Sequence, residues 1–134
     1  MGYVIDSDVL IEMEKGKVNF EKLVQGREDE EFFLSVITAS ELLHGVNRAK
    51  TPEQRMKRSS FVEGLLDSIP ILPVDLSVAR THSKIMAEIT EAKGTVGIHD
   101  SWIAATCISN GLTLISKNKK DFEKMPGLNL EILK

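Results

Sequence analysis

The chain has 134 residues, 42% of them hydrophobic and 28% charged, a length and balance that suit one domain with a real core and exclude a disordered chain. No apolar run approaches the roughly 20 residues needed to span a bilayer, and the start lacks the charged-then-apolar layout of a secretory signal, so the expectation is a cytoplasmic protein with no membrane contact. With 17 Lys and Arg against 20 Asp and Glu, the formal charge is -3, so the field of the whole molecule does not draw polyanions and nucleic-acid binding would need a local patch.

Tyr3, Val4 and Ile5 form a short apolar run bounded by polar residues and predict a buried strand that delivers Asp6 to its carboxyl end. Asp8 is the expected cap of a helix from Val9 to Met13, ended by Lys15-Gly16-Lys17. A second short helix covers Asn19 to Val24, capped by Asn19 and ended by Gly26. The run Arg27 to Glu31 has no apolar interleaving and reads as a solvated loop.

Phe32 to Ser35 is the second predicted strand, and a helix from Thr38 to Val46 follows it. Thr38 and Glu41 have the spacing of a capping box, which gives Glu41 a structural reading. The functional reading places the same carboxylate over the sheet edge, facing Asp6. Thr51-Pro52-Glu53-Gln54 starts a helix that runs to about Leu66. Arg48, Lys50, Arg55, Lys57 and Arg58 cluster at its beginning, either as a solvated face or as a patch for phosphates.

Ile69 to Val74 predicts a third strand, and Pro70 and Pro73 put it near an edge because they lack ladder donors. Asp75 caps a long helix with Val78, Ala79, His82, Ile85, Met86 and Ile89 inward, closed by Lys93 and a left-handed Gly94. His82 lies in the apolar stripe and reads as a hydrogen-bonded core residue. After a loop from Gly94 to His99, Asp100 to Ile108 forms a helix apolar on most sides, with Asp100 as its cap or as a functional acid. Cys107 lies in this helix; as the only cysteine it forms no internal disulfide and reads as a small core residue. Leu112 to Ile115 is the next strand, with Ser116, Lys117, Asn118 and Asp121 just beyond, and Asn129 to Leu133 is the last.

Strands and helices alternate along the whole chain, 1–134, which argues one α/β domain with a mostly parallel sheet covered on both faces. In such a sheet the positions after the strands share one edge, where ligands bind. Asp6, Glu41, Asp100 and Asn118 would all arrive there. Three carboxylates brought together repel one another unless a cation compensates them. Oxygen ligands without cysteine or histidine suit Mg²⁺ or Mn²⁺, and such sites act on phosphate esters.

Four blocks carry a resemblance: Tyr3 to Ile11, Ser35 to Leu42, His99 to Ala105, and Leu114 to Phe122. In this order and spacing they resemble the PIN-domain ribonucleases, in particular the VapC-type toxins of toxin–antitoxin pairs. The resemblance implies a three-layer α/β/α sandwich around a five-stranded parallel sheet. It implies Asp6, Glu41 and Asp100 as ligands of Mg²⁺ or Mn²⁺, with Asp6 and Asp100 holding the ion and Glu41 orienting or deprotonating water. The family's fourth acidic position falls on Asn118, a departure, and Asp121 is the nearest acid that could replace it. His99 is the one histidine placed to take part. RNA phosphates would be gripped by Arg48, Lys50, Lys117, Lys119 or Lys120. A cognate antitoxin and a homodimer are the implied partners.

Two alternatives stand beside this reading. Asp6-Ser7-Asp8-Val9 also resembles the first motif of haloacid-dehalogenase-type phosphatases, with Asp6 as nucleophile, but that leaves Glu41 without a role. A non-catalytic RNA-binding module on the same fold would account for Asn118.

Overall fold

The computed structural model describes residues 2–134. Among them five strands form one sheet in the order β3-β2-β1-β4-β5: β1 (Gly2–Ile5), β2 (Glu31–Ser35), β3 (Ile71–Leu72), β4 (Thr113–Ser116) and β5 (Asn129–Ile132). Every pairing is parallel. The opening strand is therefore central, with Val4 opposite Phe33 on one side and Leu114 on the other. The proline-flanked strand shrinks to two residues at the edge, as its missing donors require.

Side chains along a strand alternate between faces, and each face here has its own core. Val4 and Leu114 pack with Val78, Ile85, Ile89, Ile103 and Phe122, which belong to α5 (Leu76–Glu91), α6 (Ile98–Ser109) and α7 (Lys119–Phe122). Their neighbours Ile5 and Ile115 pack the other way, with Val9, Leu10, Leu23, Leu42 and Val62. Those residues come from α1 (Ser7–Glu14), α2 (Phe20–Val24), α3 (Val36–Asn47) and α4 (Pro52–Ser68). The result is the expected three-layer α/β/α arrangement.

Several helix starts differ from expectation, and the differences matter for the site. Asp6, not Asp8, is the N-cap of α1, accepting from Ser7 N at 2.9 Å. Asp8 is thereby released from capping. Ser35, not Thr38, caps α3, accepting from Ile37 N at 3.1 Å, because the helix begins three residues earlier than the capping-box spacing suggests. Thr38 is fully buried, and Glu41 lies in the second turn with no capping duty. Helix α6 likewise opens at Ile98 after Gly97, so Asp100 sits in its first turn without capping it. Thr51, Asp75 and Asn19 cap as expected, whereas the left-handed residue after α5 is Lys93, with φ of 60°, in place of Gly94.

The charged run is not simply a solvated loop. Arg27 is half-buried and forms a two-pronged pair with Glu131 of β5, both contacts at 2.8 Å, while Glu31 begins β2.

Candidate active site

Asp6 is the most deeply placed of the acids, only 5% exposed at the carboxyl end of the central strand. Its Oδ1 accepts from Ser7 N, and its Oδ2 accepts from the Ser116 hydroxyl at 2.7 Å. Ser116 ends the neighbouring β4 and is itself fully buried. That hydroxyl also lies 3.3 Å from Asp8 Oδ2, which accepts from Lys117 N at 3.1 Å. One serine thus links two carboxylates. Burial, and next the charge of Asp8, push the Asp6 carboxyl up to about 7, against the bonds from Ser116 and Ser7 that favour its ionised form. Burial raises Asp8 as well.

Asp100 faces the same group from α6. Burial raises its pKa first, then the charges of Asp121, Glu41 and Asp8, with His99 opposing them. Gly97 leaves the space this carboxylate uses: a Cβ there would stand 3.3 Å from Asp100 Oδ2. Glu41 comes from α3, its Oε2 3.6 Å from His99 Nδ1, beyond hydrogen-bond length. Its Oε1 is buried without a partner, as are Asp8 Oδ1 and Glu12 Oε2. Native structures rarely leave such atoms unsatisfied. With Thr38 Oγ1, these are four buried side-chain oxygens without a partner.

The fourth expected position is organised differently. Asn118 caps α7 by accepting from Asp121 N at 3.2 Å, and its Nδ2 donates to Asp121 Oδ2 at 2.9 Å. The amide therefore holds Asp121, whose charge reaches Asp100.

The oxygen-only donors and orphaned atoms fit a hard divalent cation. Among the described residues, no three His, Cys, Asp or Glu side chains are grouped closely enough to hold an ion as they stand. Glu41 and Asp100 are half-exposed, whereas Asp6 is buried.

A cleft of about 550 Å³ adjoins the acids, lined among others by Ser7, Glu41, His44, Arg48, Arg58 and His99. Of the expected phosphate contacts, Arg48 lines this cleft and Lys50 does not. Lys117 is paired with Glu12 at 3.3 Å, while Lys119 and Lys120 are exposed on α7. Arg58, which the sequence places only within a charge cluster, is fixed by donating to Gly45 O at 3.1 Å. A smaller cavity of about 380 Å³ between Ile89, Val96 and Pro126 touches none of the acids.

Sequence reasoning missed Ser116 as a site residue and gave Asp8 a cap to form. The signal for Ser116 was a polar residue directly after Leu114-Ile115 in a buried strand.

Comparison with known proteins gives a consistent answer. Residues 3–128 match the PIN domain family. Ribonuclease VapC1 of Rickettsia felis is 34% identical over 130 residues, 97% of this chain and 95% of that protein. Ribonuclease VapC5 of Mycobacterium tuberculosis is 33% identical, covering 98% of this chain and 93% of that protein. Among solved structures, DNA-bound VapBC from Salmonella typhimurium superposes with a TM-score of 0.88 at 25% identity, over 98% of both chains. VapBC2 of Rickettsia felis, bound to a promoter DNA fragment, has the same fold, with a TM-score of 0.91 at 20% identity over 100% of both chains.

Proposed function

The chain belongs to the PIN-domain family, and from that premise we propose that it is a metal-dependent ribonuclease, hydrolysing RNA phosphodiester bonds as the toxin of a toxin–antitoxin pair. The observation that carries this reading is the convergence of Asp6, Asp8, Glu41, Asp100 and Asp121 on one sheet edge, with buried oxygens lacking partners and raised carboxyl pKa values.

Asp6, Glu41 and Asp100 would hold Mg²⁺ or Mn²⁺. When bound, the ion supplies Lewis-acid activation of water and neutralises charge developing on the phosphate. The chain's own residues do the rest. Ser116 and Ser7 keep both Asp6 oxygens pointed along fixed directions. Glu41 offers an unpartnered Oε1 that can orient a water or take its proton. Asn118 steadies Asp121, which adds the charge the amide lacks and positions a further water. Arg48, at the cleft, contacts a phosphate without reading bases, and Lys50, Lys119 and Lys120 extend the strand's path. Lys117 serves the protein first, through Glu12.

The cytoplasm is where such an enzyme meets RNA, and no helix among the described residues is long and apolar enough to cross a membrane. The matched structures are toxin–antitoxin complexes, which supports a cognate antitoxin as partner, with a homodimer and a single domain over 1–134 as part of the same reading. The phosphatase alternative leaves Glu41 idle and has no support in the family match. The non-catalytic alternative rests on Asn118 alone, and the Asn118 amide donates to an acid, Asp121.

The test is incubation of the purified chain with structured and single-stranded RNA in Mg²⁺ or Mn²⁺, beside a chelator control and Asp100→Ala. Cleavage should require the metal and disappear in the variant. Intact RNA in every lane, with folded protein, would overturn the proposal.

A further inference from the structure

Helix α6 carries Asp100 in its first turn, yet that turn has no side-chain cap. Gly97, Ile98 and His99, which lead into it, are exposed. Two contacts hold this turn, one within α6 and one from α5. The Ser101 hydroxyl donates to Ile98 O at 2.7 Å, which commits its only hydrogen. His82 Nε2 lies 2.9 Å from the same Oγ and must therefore donate to it. The His82 ring also stacks flat on Trp102, with centroids 3.6 Å apart and planes 3° from parallel. Two consecutive residues, 101 and 102, are thus gripped by one side chain immediately after the acid.

Successive residues on a helix are turned by about 100°, so clamping Ser101 and Trp102 fixes the rotation of α6 and with it the direction of Asp100. A small rotation would carry the carboxylate away from Glu41 and Asp8, whose charges it now feels. Burial lowers the His82 pKa, and in the neutral ring the Nε2 proton required by Ser101 defines the tautomer.

We propose that His82 is a positioning residue for the active site, holding Asp100 in its metal-ligating direction through the hydrogen bond from Nε2 to Ser101. The proposal rests on Asp100 as a ligand, the reading given under the proposed function. It separates two duties of one side chain: the stack on Trp102 serves stability, and the hydrogen bond serves the metal site.

His82→Phe keeps an aromatic ring over Trp102 and removes the donor. His82→Gln keeps a donor at similar reach and removes the ring. Each is compared with the unaltered chain by calorimetric titration with Mn²⁺, thermal unfolding without metal, and RNA cleavage kinetics. His82→Phe should weaken Mn²⁺ binding and lower kcat by about 10-fold, at the lower end of what losing support to a metal ligand costs, with KM for RNA unchanged. His82→Gln should restore Mn²⁺ affinity to within about threefold while melting at a lower temperature. If His82→Phe does not fold, Ser101→Ala removes the acceptor instead and should reproduce the loss of affinity. Asp100→Asn is measured in parallel. If Asp100→Asn binds Mn²⁺ normally, the ligand reading fails and the proposal with it. If Asp100→Asn loses Mn²⁺ but His82→Phe or Ser101→Ala binds normally, or if His82→Gln loses as much as His82→Phe, the positioning role alone is overturned.

Discussion

Arg27 and Glu131 meet in a pair where every charge has a partner. Two guanidinium nitrogens donate to the two carboxylate oxygens at 2.8 Å, the third donates to Leu23 O, and the group lies 4.8 Å over the Tyr3 ring. Their ionisation shifts in the direction of charge: the hydrogen bonds from Arg27 lower the Glu131 pKa. At the sheet edge the reverse holds. Asp6, Asp8 and Asp100 are raised chiefly by burial, and oxygens of Asp8, Glu12 and Glu41 accept from nothing. The first arrangement lowers the free energy of the folded chain as it stands. The second raises it, a pattern typical of functional sites.

The largest effects should follow from removing an edge carboxylate. Asp6→Asn should cut RNA cleavage by more than about 100-fold, beyond the range expected for a residue that merely supports a ligand. The same substitution should stabilise the metal-free chain above neutral pH. The sign follows from linkage: the Asp6 carboxyl titrates at about 7 when folded and near 3.8 when unfolded, so between these values the folded state binds more protons. Stability therefore falls as pH rises from about 4 to about 7, by on the order of 4 kcal/mol at most. Urea unfolding at pH 5 and pH 8 should show this fall in the unaltered chain and a flatter profile in Asp6→Asn. An equally steep profile in the variant would mean that the edge is not strained by this group.

Cation binding should relieve the strain by a comparable or smaller amount. At 100 times its dissociation constant, Mn²⁺ should stabilise the chain by about 2.7 kcal/mol. Thermal unfolding with and without the metal measures it. Loss of that increment in both Asp6→Asn and Asp100→Asn would locate the ion among these acids, while an undiminished increment in both would place it elsewhere.

This contrast explains what the sequence could and could not reveal. The parallel sheet was legible because Tyr3 to Ile5 and Leu112 to Ile115 are short apolar runs, and because helices separate them. That Asp6, Glu41 and Asp100 would come to the same edge was legible because Asp6 follows a strand there and the other two lie in the early turns of helices that start beside it. Their individual duties were not, since a cap and a ligand demand the same residue types at helix starts. Thr38 and Glu41 have capping-box spacing, and the box fails only because Ser35 opens α3 sooner. Asp8 reads as the cap because it directly precedes the apolar start of the helix at Val9, yet it is Asp6, with its buried and raised carboxyl, that caps α1. Ser116 and Arg27 depend on partners 110 and 104 positions away, a relation that periodicity does not carry.

The smallest effect belongs to the satisfied pair, and it tests whether the two regions are independent. Arg27→Met keeps much of the apolar stem over Tyr3 and removes the charge. It should cost about 1–2 kcal/mol, more than an ordinary exposed ion pair because the geometry is two-pronged and a ring lies beneath it. Because the folded Glu131 pKa is lowered, the pair's contribution is present above the ordinary value near 4.5 and is lost as pH falls through the folded value. Urea unfolding of Arg27→Met should therefore differ from the unaltered chain at pH 7 and converge with it in acid. RNA cleavage and Mn²⁺ affinity should stay within about twofold, since sites without shared partners act additively. A larger change in either would show that β5, through β4 and Ser116, transmits the state of this pair to Asp6.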